Sequence, residues 1–186
     1  MKYFPFLFCF LLCIQFAYSQ KLSVDSLLQK LAIEKNEDKK VDLIVKLFLT
    51  GLDKDPYLTI QTGQAVLKQG QESNDLIKEA SAYCILGTGY RISGNPIRGL
   101  QLQQKALKLA EKANNYSLLA MVKNQMGHTY RDREEWDNAF KIYADALNDA
   151  DRGKNEVINM AGYEFRCLLP EFKQTGFRFT LFTESL

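Results

Sequence analysis

His128 is the only histidine of the chain, and it is the first residue to weigh for catalysis because imidazole exchanges a proton near neutral pH. A single histidine excludes a histidine-rich metal site, and no motif that marks a nucleophile accompanies it. The sequence also has no P-loop, no dinucleotide-binding glycine fingerprint and no cysteines in a CxxC pair. We therefore predict that the chain is not an enzyme and implies no cofactor and no metal.

Asp132, Glu134 and Glu135 are a second candidate, because paired carboxylates can act as general acid and base. They lie where the sequence predicts a turn between two helices, and charged, solvated residues are expected at such a turn. The sequence favours this structural interpretation over a catalytic one.

Asn124, His128 and Arg131 form the most informative polar group, because their spacing places all three on one stripe of a helix. Arg91 stands forty residues before Arg131, at an equivalent position of a similar stretch. Two arginines and an amide could hold a peptide backbone or a carboxylate through charge-assisted hydrogen bonds. The alternative is that they are ordinary solvated surface residues, and the residue pattern leaves both interpretations open.

The elements that would position these residues recur at a fixed period. The stretches LGTGYRISGNPIRGLQLQQKAL from Leu86 and MGHTYRDREEWDNAFKIYADAL from Met126 are similar and begin forty residues apart. Apolar periodicity predicts helices over about residues 76–92, 96–112, 116–132 and 135–149. Because the turns between them are short, the two helices of each pair must be antiparallel and in contact.

The chain before these helices follows a similar but weaker plan. Residues 20–36 contain a short amphipathic helix, and the charged residues 37–40 predict a break. An apolar stripe from Val41 to Phe48 predicts the next helix, which residues 51–55 interrupt. Pro56 then favours a helix start, and that helix is expected to reach Gly70.

Small and aromatic residues occupy matching positions of the two similar stretches. A glycine would allow two helices to cross closely, a tyrosine would fill space beside it, and two further small residues would repeat the close approach. In order, the matched pairs are Gly87 and Gly127, Tyr90 and Tyr130, Gly99 and Ala139, and Ala106 and Ala146.

This spacing of glycine, tyrosine and two small residues resembles the tetratricopeptide repeat. The usual period is 34, so forty residues imply helices longer by about one and a half turns in each hairpin. The resemblance implies an all-α fold, a right-handed superhelix of antiparallel helical hairpins. It covers about residues 80–113 and 120–150 well and about 40–75 poorly, since Leu47, Thr50, Thr59 and Val66 replace the expected residues.

In tetratricopeptide folds, the inner face of the first helix of each hairpin lines a groove. The resemblance therefore implies that this face carries Ser81, Cys84, Thr88, Arg91, Met121, Asn124, His128 and Arg131. From this set we predict a partner-binding groove formed by Thr88, Arg91, Asn124, His128 and Arg131. At Cys84 we expect a small buried hydrophobe.

Most of the chain also resembles the periplasmic sensor region of tetratricopeptide histidine kinases and regulators of the Bacteroidetes type. The resemblance rests on a secretory leader, the short helix SVDSLLQKLAIEK, a charged break, KVDLI and repeats of about forty residues. In that family a transmembrane helix and an output domain follow the repeats. We expect either a stand-alone exported repeat protein or a truncated sensor.

Residues 1–19 have the pattern of a secretory signal peptide. Lys2 is followed by an apolar run from Phe4 to Phe16, and Ala17 and Ser19 are small residues suited to cleavage. A retained transmembrane anchor would need about 20 apolar residues, and the residues before Cys9 and Cys13 do not fit a lipoprotein. We expect cleavage near Ser19 and export to the periplasm or outside, leaving a domain of repeats over residues 37–159.

Residues 160–186 depart from the repeat pattern. Pro170 stands where the repeat requires a tyrosine, and the segment turns aromatic without helical periodicity. We expect an irregular tail, and one hypothesis is that it is an out-of-frame translation of a fourth repeat.

The formal net charge of +2 gives no electrostatic case for nucleic acid or for a membrane surface. We expect a protein or peptide partner, with any membrane attachment through a missing downstream segment. The main hypothesis is a non-catalytic binding module, the exported sensory part of a signalling protein. The alternative is a structural assembly module whose final repeat face docks another protomer or another envelope protein.

Overall fold

The computed structural model describes residues 23–153, and this part of the chain is helical, with no β-strand. The first helix, α1, covers residues 23–33. It is followed by α2 (Glu37–Leu49), a short 3-10 turn (Leu52–Lys54), α3 (Pro56–Ser73), α4 (Leu76–Ile92), α5 (Pro96–Ala113), α6 (Tyr116–Asp132) and α7 (Trp136–Gly153). The predicted all-α class is confirmed for these residues.

Local capping explains why the predicted helix bounds agree closely with the structure. The side chains of Asp75, Asn95 and Asn115 accept hydrogen bonds from backbone amides in the first turns of α4, α5 and α6. Asn74 and Asn114 adopt left-handed conformations, with φ of 51° and 53°, at the ends of α3 and α5.

The break predicted at residues 37–40 is wrong. These residues form the first turn of α2, where the Asn36 side chain accepts a hydrogen bond from the Lys39 amide. Glu37 and Asp38 lie in this turn, and acidic residues stabilise the amino end of a helix. The charges therefore begin the helix and do not interrupt it.

Two antiparallel pairs, α4 with α5 and α6 with α7, pack closely at the predicted glycines. A Cβ atom added at Gly87 would lie 2.7 Å from the carbonyl oxygen of Gly99. A Cβ atom at Gly127 would lie 2.6 Å from ring carbon Cδ1 of Tyr143. The prediction that these glycines mark close helix crossings is confirmed.

Helix α3 packs against α4, whereas α2 packs against α4 and α6. Gly63, Gly70 and Gly89 bring α3 and α4 together, and a Cβ atom at Gly70 would lie 2.8 Å from the Glu79 amide nitrogen. Within the described residues, the backbones of α2 and α3 do not contact each other. The first two helices of the weakest predicted unit therefore do not form a contacting pair like the later ones, because the 3-10 turn and Gly51 (φ 80°) separate them.

A continuous hydrophobic core extends from α1 to α7, with fully buried side chains that include Leu31, Ile44, Ile85 and Leu118. Lys78 Nζ donates to the carbonyl oxygen of Ala32 at 3.2 Å, and Lys40 Nζ lies 2.5 Å from Asp75 Oδ2. These two lysines therefore fasten α1 and α2 to the amino end of α4.

The predicted signal peptide (residues 1–19) and the predicted tail (residues 160–186) lie outside the described residues. Within residues 23–153, no helix is both long enough and apolar enough to cross a membrane.

Candidate functional site

The stripe of α4 that was predicted to line a groove is buried. Ser81, Cys84 and Thr88 are each 0% exposed, so none of them presents a surface to a partner. Burial raises the pKa of the Cys84 thiol to about 12, which keeps it protonated and unreactive. Cys84 is the small buried hydrophobe that the sequence predicted.

Two hydrogen bonds show that α6 covers this stripe. Thr88 Oγ1 donates to Gln125 Oε1 at 3.2 Å, and Arg91 Nη1 donates to Asp132 Oδ2 at 2.6 Å. The Arg91 side chain is only 9% exposed. Thr88 and Arg91 therefore lie between α4 and α6, and the prediction that they line an open groove is wrong. A helical stripe predicts which residues share a side, but it does not predict which helix lies opposite.

The equivalent stripe of α6 keeps access to solvent. Asn124 and His128 are half-buried, and the Arg131 side chain is 35% exposed. These residues stand forty positions after Cys84, Thr88 and Arg91. The α6 face, defined here as Asn124, His128 and Arg131, is thus the counterpart of the surface that α4 buries against α6.

His128 is held in place by its neighbours on α6 and α7. Its Nδ1 lies 2.8 Å from Tyr143 Oη, and its Nε2 lies 3.4 Å from Asn124 Nδ2, with the donor set by the imidazole tautomer. The His128 and Tyr143 rings meet edge to face, with centroids 5.6 Å apart. Burial, together with the positive charges of Arg131 and Arg91, lowers the pKa of His128 to about 4. His128 is therefore neutral at physiological pH.

The charges around His128 are unbalanced. Arg91 and Arg131 both contact the carboxylate of Asp132, with Arg131 Nη2 3.3 Å from Asp132 Oδ1. The buried Nε of Arg91 has no hydrogen-bond partner. Two guanidinium groups thus share one carboxylate, which leaves the end of the α6 face positive and suited to an anionic group.

A buried polar network that the sequence did not predict joins α5 to α6 next to the α6 face. Gln103 is 0% exposed, accepts a hydrogen bond from Thr129 Oγ1 at 2.7 Å and donates to the Gln125 carbonyl oxygen at 3.3 Å. Its position is equivalent to that of Tyr143, and each side chain packs against the matching glycine of its hairpin, Gly87 or Gly127. That forty-residue equivalence was the signal that could have identified Gln103 as a buried residue.

The carboxylates near the turn between α6 and α7 have structural partners. Glu135 pairs with Arg133 and accepts a hydrogen bond from Asn138, while Asp132 binds the two arginines. Glu134 adopts a left-handed conformation with φ of 60°. Within the described range, no group of three or more His, Cys, Asp or Glu side chains could hold a metal ion. The arrangement can bind a polar or anionic group, and it offers no paired acid and base.

Comparison of the chain with protein-family models, with curated proteins and with solved structures found no significant match in any of the three.

Proposed function

We propose that this chain is a non-catalytic, tetratricopeptide-like module that binds a protein or peptide partner through the α6 face. In this proposal the hairpins continue as a right-handed superhelix, and the protein is exported as the sensory part of a signalling protein. The supporting observations are the two closely packed hairpins, related by forty residues, and the pattern of residues 1–19.

One observation carries the binding proposal. The stripe formed by Cys84, Thr88 and Arg91 on α4 is buried by a neighbouring helix, whereas its counterpart on α6 is half-exposed. The chain itself buries this surface in the hairpin of α4 and α5. The equivalent surface in the hairpin of α6 and α7 is therefore suited to burial by another polypeptide. Neutral His128, Asn124 and Arg131 would give that contact its polar specificity.

The same observation supports the alternative, a structural assembly module in which the partner is another protomer. A face that stacks on the next hairpin within one chain could stack on a hairpin of a second copy. Mass measured as a function of protein concentration separates the two functions. Assembly predicts oligomers without a ligand, whereas a module for a different partner can remain monomeric.

The binding proposal can be tested by photo-crosslinking in the source cells. A photoreactive residue at Asn124 should capture a discrete protein, whereas the same residue at exposed Gln101 on α5 should not. The captured protein is then purified and titrated against the chain. We expect Arg131→Ala to weaken binding by about tenfold without loss of helicity.

Arg98→Ala is the matched control, because Arg98 is exposed on α5 and its guanidinium carbon lies 4.1 Å from the Tyr90 ring centroid. Arg91→Ala is not a clean test, since it breaks the ion pair with Asp132 that joins α4 to α6. Equal affinity of the Arg131→Ala and unaltered chains would exclude the α6 face as the binding surface.

A further inference from the structure

We propose that the α6 face recognises an amphipathic helix that carries a hydrogen-bonding polar residue and, seven positions later, a carboxylate. This inference rests on the proposed function and adds the chemistry of the partner. The occupant, meaning the helix that binds the α6 face, belongs to a separate polypeptide.

The template for this recognition is the contact that α6 itself makes with α4. Gln125 of α6 accepts a hydrogen bond from Thr88, and Asp132, seven residues later, accepts one from Arg91. On a helix, seven residues are about two turns, so the two acceptors lie on the same side of α6. The α4 stripe thus binds a helix through one polar contact and one ion pair.

The α6 face presents equivalent groups forty residues later. His128 takes the place of Thr88, and Arg131 takes the place of Arg91. The two ring nitrogens of His128 already contact Tyr143 and Asn124. The Asn124 amide, which stands where α4 has a buried thiol, and Arg131 are therefore the groups that can meet polar side chains of a neighbouring helix. An occupant in the same orientation would therefore place its polar residue near Asn124 and His128 and its acidic residue near Arg131.

Charge complementarity selects a carboxylate for the second position. Arg131 shares Asp132 with Arg91, so its pairing is incomplete, and its side chain is 35% exposed. Arg131 contacts Asp132 Oδ1 through Nε at 3.4 Å and Nη2 at 3.3 Å, which leaves its Nη1 to donate to a new acid while Arg91 keeps Asp132. A basic residue on the occupant would instead face two guanidinium groups and be repelled.

The test uses two synthetic peptides that cover residues 115–133 of this chain, which contain Gln125 and Asp132 in the required spacing. One has the natural sequence and the other carries Asp132→Asn. Binding of each to the full chain is measured by fluorescence anisotropy. We expect the natural peptide to bind about tenfold more tightly than the Asn peptide, because a charge-assisted ion pair is lost.

Variants of the full chain locate the effect. Arg131→Gln should remove the difference between the two peptides, and Arg131→Lys should retain part of it. Arg98→Gln is the matched control and should leave the difference unchanged. A difference that survives Arg131→Gln would overturn the assignment of the carboxylate to Arg131.

Equal affinity of the two peptides, or no binding of either, would overturn the inference. The proposed function is tested separately, with the crosslinked protein in place of the peptides. It fails when that protein binds the Arg131→Ala chain and the unaltered chain with equal affinity. Self-association of the chain that is abolished by Arg131→Gln would also overturn the inference, because the occupant would then be a second copy.

Discussion

At the scale of single residues, the chemistry of this chain is concentrated around His128. Its imidazole bonds to Tyr143 on α7 and to Asn124 on its own helix. Burial, together with two nearby arginines, lowers its pKa. The spacing of Asn124, His128 and Arg131 predicted that they share a stripe. The partners of Thr88 and Arg91 could not be predicted in the same way, because Gln125 and Asp132 belong to a different helix.

The pKa of His128 predicts a specific loss of stability in mild acid. From its ordinary value of 6.5 down to about 4, the unfolded chain takes up a proton at His128 and the folded chain does not. The free energy of unfolding should therefore fall as the pH falls through this window, by up to about 3 kcal/mol. Urea titrations at a series of pH values measure it.

His128→Gln is the control for this effect, because the variant cannot take up the proton. Its stability should depend less on pH between 4 and 6.5, and an equal dependence in both proteins would show that another group is responsible. Although burial alone would raise the pKa of Asp75, the hydrogen bonds from Lys40 and from the Lys78 amide, together with the charges of both lysines, outweigh it and lower that pKa. The contribution of Asp75 is therefore lost only below its ordinary value of 3.8, at lower pH than the His128 window.

At the scale of helices, the bounds of α4 to α7 could be predicted closely from the sequence. The helices against which each one packs could not. Caps such as Asp75 and Asn115 act on the three or four residues beside them, so their effect is visible in the sequence. The packing of α2 on α4 and α6 depends on contacts between distant parts of the chain. A repeat pattern that is weak over residues 40–75 carried no signal that α3 would pair with α4.

Asp75 makes both a local and a distant contact, because it caps α4 and also pairs with Lys40 of α2. Asp75→Ala should lower the free energy of unfolding by about 3 to 5 kcal/mol, since it removes the cap and leaves a lysine with a 10% exposed side chain unpaired. Chemical denaturation followed by circular dichroism measures the change.

Asp55→Ala is the matched control. Asp55 caps α3 through the amides of Tyr57 and Leu58, and it is exposed. Its replacement should cost only about 1 kcal/mol. Equal losses in the two variants would mean that the pair between Lys40 and Asp75 does not stabilise the attachment of α2.

At the scale of the molecule, the forty-residue repeat relates a buried surface to a half-exposed one. Helix α6 covers the stripe of α4 that contains Thr88 and Arg91, and the same stripe of α6 carries His128 and Arg131. The sequence predicted that these residues belong together and that they would meet a partner. It placed them in a groove because the resemblance supplied the orientation. The contacts of Thr88 and Arg91 instead place these two residues between α4 and α6.

The most direct measurement uses His128 as a single reporter, because it is the only histidine of the chain. The untagged protein is labelled with nitrogen-15 histidine, and its imidazole signals are recorded while the peptide of residues 115–133 is added. A helix that docks on the α6 face should shift both ring signals in a saturable manner, and the Asp132→Asn peptide should require about tenfold higher concentration. Imidazole signals that do not move when either peptide is added would contradict a docking surface on α6.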